Sequence, residues 1–169
     1  MENLMSSIKV EGMEEYLRLL DLSQAKLKTL CGRSIYPGAG LIYKDCRKRI
    51  NGLATEKGGH HGNTKRRLTE VQREGLAKSL GIAPLRNKRG TFDVKLGFDG
   101  YNNVVTKRWP NGQPNAMIAR SVNKGTSFMA AQPFMDQSIE ACRHPVEEKI
   151  EEQFYKELEK LWGKWFDKH

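Results

Sequence analysis

Three cysteines, two adjacent histidines and three aspartates are the residues of this chain best equipped for chemistry, and their spacing decides how much of it is usable. Cys31, Cys46 and Cys142 are odd in number, widely separated and include no C-x-x-C pair. Neither a disulfide framework nor a thiolate zinc site is indicated, and the three read as reduced, partly buried small apolar residues. His60 and His61 have Glu56 alone nearby, while His144 and His169 are remote. A metal needs several donors converging at ligand spacing, so the pair reads as solvated loop histidines and no metal is assigned. Asp45, Asp93 and Asp99 share no spacing that sets a common geometry, and a nuclease reading would have to rest on Asp93 or Asp99. The run G-F-D-G at Gly97 to Gly100 has the wrong order and context for a kinase D-F-G. With no G-x-S-x-G, no G-x-x-x-x-G-K and no H-E-x-x-H in the chain, the usual parts for hydrolysis, phosphoryl transfer and metal catalysis are missing. No catalytic residue and no cofactor is assigned, and a chain that is not an enzyme is expected.

Charge offers a second kind of chemistry. The net charge is +9, and the window Lys44 to Gly90 holds 13 Lys and Arg against 4 Asp and Glu, while the remaining 16 basic and 16 acidic residues cancel. A neutral body with one basic segment implies a local footprint toward phosphate or an acidic protein surface. Lys65, Arg66, Arg67, Arg86, Lys88 and Arg89 are the candidates for proximity to nucleic acid. A DNA-binding module using residues 44–90 is the alternative function, although no aromatic interleaving or groove-reading motif accompanies the charge.

The elements that must position these residues are those of one domain of 169 residues, 38% hydrophobic, with a mean hydropathy of -0.66. No apolar run approaches the roughly 20 residues of a bilayer span, so no membrane partner is expected. The start of the chain lacks the basic-then-apolar layout of a signal peptide, which implies synthesis in the cytoplasm. Ile8 to Val10 reads as a short strand, followed by a helix with Met13, Tyr16, Leu17 and Leu20 on one face. A helix from Ser23 meets Y-P-G-A-G at Tyr36 to Gly40 and resumes to Ile50, either kinked at Pro37 or split into two stacked pieces. Residues 54–67 read as a flexible basic loop. Thr69 and Gln72 form a capping box opening a helix with Val71, Leu76 and Leu80 inward and Gly81 as its stop. Phe92, Val94, Leu96 and Phe98 alternate along a half-buried strand. Asp99-Gly100 turns, and Val104 to Trp109 returns as an antiparallel partner. Pro114 opens a helix that Gly125 closes, and Phe128 to Ala131 suits an edge strand. A piece from Pro133 to Cys142 precedes a break or kink at Pro145. A C-terminal amphipathic helix then spans 146–169, with Val146, Ile150, Phe154, Leu158, Leu161, Trp162 and Trp165 on one side. The fold class expected is α+β, a small antiparallel sheet packed against long N- and C-terminal helices. Tyr101, Trp109, Phe128, Phe134, Trp162 and Trp165 are the candidates for subunit-interface anchors.

The segments L-A-K-S-L-G-I-A-P-L-R-N-K-R-G-T-F-D-V-K-L-G-F-D-G-Y-N, T-K-R-W-P-N-G-Q-P-N-A-M-I-A-R-S-V-N-K-G-T-S-F and Q-P-F-M-D-Q-S-I-E-A-C, from about Leu68 to Cys142, resemble the tail-component family of long-tailed bacteriophages and prophages. These are neck or tail-completion proteins, and the opening I-K-V-E-G-M-E-E-Y-L-R-L-L-D-L fits the same pattern. The loop 54–67 and the interruption at Pro37 fall outside the resemblance. It implies a non-enzymatic virion subunit at the head-to-tail joint, made in the host cytoplasm. Its implied partners are copies of itself in a ring, hexameric by the family pattern, together with head-completion or connector and tail-terminator or tail-tube proteins. Packaged DNA would be in non-specific reach.

Overall fold

The computed structural model describes the backbone of residues 6–9, 24–56 and 66–166, and side chains within 25–56 and 66–161. The expected helix around Met13 to Leu20, most of the loop 54–67 and the side chains of Trp162 and Trp165 lie outside the described residues. The fold is α+β. Two long helices, α1 (Gln24–Asn51) and α4 (Phe134–Phe166), accompany two short ones, α2 (Glu70–Ser79) and α3 (Asn115–Lys124). A small sheet is built from β1 (Ser6–Lys9), β2 (Leu80–Ile82), β3 (Arg86–Lys88) and β4 (Thr91–Phe98). β4 lies between β1 and β2 and also pairs with β3. Two compact units divide the chain, residues 7–42, 82–95 and 142–169 forming one and residues 1–6, 43–81 and 96–141 the other.

In the first unit the prolines are absorbed rather than obeyed. A proline inside a helix removes one hydrogen bond and disfavours the turn before it by about 3 kcal/mol, yet α1 continues through Pro37 and α4 through Pro145. Of the break or kink expected at Pro145, the break is absent, and α4 begins at Phe134 rather than 146. The reason is packing at the proline-bearing turns. Gly38 lies so close to α4 that a Cβ there would stand 2.7 Å from Ile150 Cγ1 and 3.3 Å from Val146 Cγ1. Burial of Val146 and Ile150 across this approach offsets the missing backbone bond. Beyond it Leu30, Cys31, Ile35 and Ala39 of α1 meet Phe92 and Val94 of β4 and Leu158 of α4, all buried.

β3 and β4 form a hairpin with Arg86 opposite Asp93 and Lys88 opposite Thr91. Its two-residue loop, Arg89 at φ 54 and Gly90 at φ 86, has the positive dihedrals of a type I′ turn, and Asn87 Oδ1 accepts from Gly90 N at 3.0 Å. Before β3, Ala83 N donates to Lys95 O at 2.7 Å. Between that pair and Arg86–Asp93 the chain holds one residue more than β4 does, a bulge at Pro84, which has no N–H to offer a ladder.

The second unit follows the local signals with four corrections. The capping box is present, Gln72 N donating to Thr69 Oγ1 at 3.3 Å and Thr69 N to Gln72 Oε1 at 2.8 Å. Leu76 and Leu80 are buried, but Val71 is 45% exposed, and α2 stops one residue before Leu80 enters β2, so Gly81 is a strand residue rather than the stop. Val104 to Trp109 is not a strand. The chain is instead pinned by one antiparallel bridge between Tyr101 and Pro114. The edge strand expected at Phe128 reduces to a parallel bridge between Arg66 and Met129. Gly125 closes α3 at φ 72, ψ 172, a region essentially reserved for glycine.

Candidate interaction surfaces

The basic window divides once its side chains are placed. Arg49 donates to Asp45 at 2.6 Å and to Gln137 Oε1 at 3.0 Å. Arg73 pairs with Glu70 and reaches the carbonyls of Asn51 at 3.2 Å and Leu53 at 3.4 Å, satisfying acceptors left by the end of α1. Lys78 faces Glu74 at 3.6 Å. Arg86, one of the six candidates for nucleic-acid proximity, donates to both Asp93 oxygens at 3.3 and 2.8 Å, which makes it a strut of the hairpin while its side chain stays 56% exposed. Arg66 and Arg67 are exposed, with Arg66 N bonded to Phe128 O at 2.7 Å and Arg67 N to Glu56 Oε2 at 3.0 Å. Lys88 and Arg89 are exposed at the hairpin tip. Lys65 lies outside the described residues.

The aromatic candidates divide as sharply. Tyr101 and Phe128 are each 62% exposed, and Val105 is 65% exposed. Trp109 is half-buried under the Arg108 guanidinium, 5.6 Å from its ring centre. Phe134 is 2% exposed and meets Phe98 edge-to-face at 6.0 Å, so it belongs to its own unit's core and is withdrawn as an interface anchor.

The segment carrying Tyr101 and Val105 is braced from beneath. Asn115 N donates to Gly100 O at 3.0 Å, Asn115 Nδ2 to Asp99 O at 3.0 Å, Asn102 N to Gln113 O at 2.9 Å and Val104 N to Asn102 Oδ1 at 2.9 Å. Thr106 and Trp109 exchange backbone bonds at 3.1 and 3.0 Å. Gly112, at φ 95, passes so close to Asn102 that a Cβ would lie 1.9 Å from its carbonyl oxygen. Asn102 and Asn115 are buried beside Gly75 of α2, and their Nδ2 and Oδ1 atoms respectively have no hydrogen-bond partner among the described residues. Sequence reasoning missed this asparagine brace. Its one legible signal is Asn115 directly after a helix-opening proline.

The first unit also has an open groove of about 640 Å³ lined by Lys28, Gly32, Arg33, Tyr36, Leu85 and Glu157 among others. Its central polar groups, Tyr36, Arg33 and Glu157, are already engaged. The Tyr36 hydroxyl accepts from Leu85 N at 2.8 Å, and Glu157 is held by Lys160 at 2.5 Å and Arg33 at 3.0 Å, which lower its pKa. The three aspartates are placed as turn and strut residues, Asp45 on Arg49, Asp93 on Arg86 and Asp99 in the exposed turn at Gly100. Among the described residues no group of three or more His, Cys, Asp or Glu side chains could hold a metal ion, and no helix is long and apolar enough to cross a membrane. His60 and His61 are outside that set.

Comparison with protein-family models, curated proteins and solved structures returns no match. The surfaces must therefore be read on their own chemistry.

Proposed function

We propose that this protein acts by contact rather than by catalysis, as a tail-completion or neck subunit of a long-tailed bacteriophage. In this reading copies of the chain, six by the family pattern, form a ring that joins the head connector to the tail-terminator or tail-tube proteins around the DNA channel. The observation that carries it is the braced segment 99–115. It holds the aromatic ring of Tyr101 outward on a backbone fixed by its own hydrogen bonds. An exposed aromatic on a pre-ordered loop loses little further freedom on docking, which is what an interface anchor requires. A closed ring needs two complementary, non-identical surfaces, and the Tyr101 segment and the Phe128 turn supply contact area of this kind. The segments from Leu68 to Cys142 that resemble the tail-component family contain this braced segment.

Electron micrographs of particles made without this protein should show separate heads and tails, and joined particles in normal number would reject the reading. The second reading, a free DNA-binding module using residues 44–90, draws on the exposed Arg66, Arg67, Lys88 and Arg89. Nanomolar duplex binding by an isolated monomer would favour it. The pairing of Arg49, Arg73, Lys78 and Arg86 with carboxylates weakens it, because those cations already have partners with which a phosphate would compete.

A further inference from the structure

We infer that the tip of the β3–β4 hairpin, Lys88 and Arg89, is a contact for the phosphate backbone of duplex DNA. The inference rests on the reading of this chain as a subunit around a DNA channel. Three observations support it. Arg89 sits at φ 54, a region where side chains other than Asn and Asp are disfavoured and where a type I′ turn selects Asn or Gly. The turn is otherwise well made, with Gly90 in the second position and Asn87 closing it, so the arginine is the one residue the turn does not want. A strained residue that its surroundings hold in place is a reason to look for a role at its side chain.

The electrostatic setting is the second observation. Arg86, two residues earlier on β3, lies against Asp93, whereas Lys88 and Arg89 have no ion-pair partner among the described residues. The hairpin thus keeps its one carboxylate at the base and offers two adjacent cations at the end.

The third observation selects phosphate over an acidic protein surface. All three residues of β3 are exposed, and the large exposed ring placed against this stretch, Tyr36, meets it at Leu85, at the base of the hairpin and not at its tip. A protein interface is anchored by buried apolar or aromatic groups within a polar rim, and a bare pair of cations on a turn supplies only the rim. Contact with a nucleic-acid backbone needs no such anchor, since it draws on counterion release and carries no sequence information.

The test uses the purified full-length protein and a fluorescein-labelled duplex of about 30 base pairs, with anisotropy read over a series of NaCl concentrations. The double variant Lys88→Ala, Arg89→Asn should bind about tenfold more weakly at 0.1 M salt. Its slope of log K against log salt should be shallower by about two, whatever the duplex sequence. Arg89→Asn alone should raise the thermal midpoint, because asparagine tolerates φ 54, so weaker binding cannot be blamed on unfolding. Lys78→Ala, which removes a cation already facing Glu74, is the control and should leave the slope unchanged. An unaltered slope in the double variant, or an equal fall in the control, overturns the inference. So does loss of binding to polyglutamate with duplex affinity intact, which would make the tip a protein contact. If particles carrying the double variant join normally and duplex affinity is unchanged, the tip falls and the joining role stands. If particles lacking the protein join, the joining role falls whatever the duplex measurement gives.

Discussion

The side chain of Asn123, buried at the end of α3, accepts from Met135 N at 2.9 Å and from Asp136 N at 3.4 Å, and so caps the first turn of α4 from another helix. The residue before α4 is Pro133, which has no side-chain acceptor to cap with. Asn123→Ala leaves these amides buried and should cost about 1–2 kcal/mol in urea unfolding. A change below a few tenths would mean that solvent replaces the cap.

Two glycines two residues apart in α1, on opposite faces of the helix, should respond with opposite sign. Gly40 has nothing within 4 Å of where a Cβ would stand, so Gly40→Ala should stabilise by about 0.5–1 kcal/mol through helix propensity. Gly38→Ala drives a methyl to 2.7 Å from Ile150 Cγ1 and should cost roughly 1–3 kcal/mol. Stabilisation at both positions would contradict the close approach of α1 and α4 at Gly38.

Acid should weaken the fold through Asp45 and Asp136. Burial works to raise the Asp45 carboxyl, but hydrogen bonds with Arg49 and Ser138 and the charges of Arg49 and Lys48 outweigh it and hold its pKa below the usual carboxylate range. Asp136 is lowered first by the hydrogen bond from Lys124, at 2.6 Å, against a smaller opposing effect of burial. A carboxylate lowered in the folded state contributes stability that is complete above its unfolded pKa, about 3.9, and is lost as pH falls through the lower folded value. Denaturant midpoints should therefore hold from pH 7 to about 5 and decline below pH 4. Asp45→Asn should flatten that decline more than Asp136→Asn, because the Asp45 side chain is 28% exposed against 45% and is less screened. Equal declines in the wild type and both variants would assign acid sensitivity elsewhere.

The cysteines should label in a fixed order. Cys31 and Cys46 are fully buried, and burial pushes the Cys31 thiol up to about 11, so little thiolate exists at neutral pH. Cys142 is partly exposed, with its sulfur 3.9 Å from Leu41 O. Mass spectrometry after native treatment with iodoacetamide at pH 7.5 should show one adduct, on Cys142, with the others appearing only in denaturant. Native labelling of Cys31 at a comparable rate would show that the α1–β4–α4 core opens readily.

Tyr101→Ser and Phe128→Ser should separate folding from assembly. Both rings are mostly exposed, and Phe128 makes its bond to Arg66 through its backbone oxygen, so stability should change by less than about 0.5 kcal/mol. Head-to-tail joining in particles carrying both changes should fall sharply. Particles that join as well as wild type would remove these two residues from any interface.

Much of the local structure was legible in the residues. The capping box at Thr69 and Gln72, the strand Thr91–Phe98, the opening of α3 at Pro114 and its closure at Gly125 all depend on side chains within a few positions of one another. So does the apolar stripe Val146, Ile150 and Leu158, whose burial follows from helical spacing. Less of the candidate surface was readable. Tyr101, Phe128 and the tip residues Lys88 and Arg89 are exposed, whereas Arg86 and Phe134, chosen by the same residue types, have partners inside the fold.

The chain's own order of residues determined where backbone bonds must start and stop, because caps, turns and alternation are energies between near neighbours. Tertiary structure decided everything that turns on a distant partner. Pro145 does not end α4, because Val146 and Ile150 are buried against Gly38, a contact across more than 100 residues of chain. Arg86 is ion-paired because β4 brings back Asp93, and α4 is capped because α3 ends beside it. A side chain's charge or apolar area is a property of its type, whereas whether it remains available to a partner depends on what folding has already placed against it.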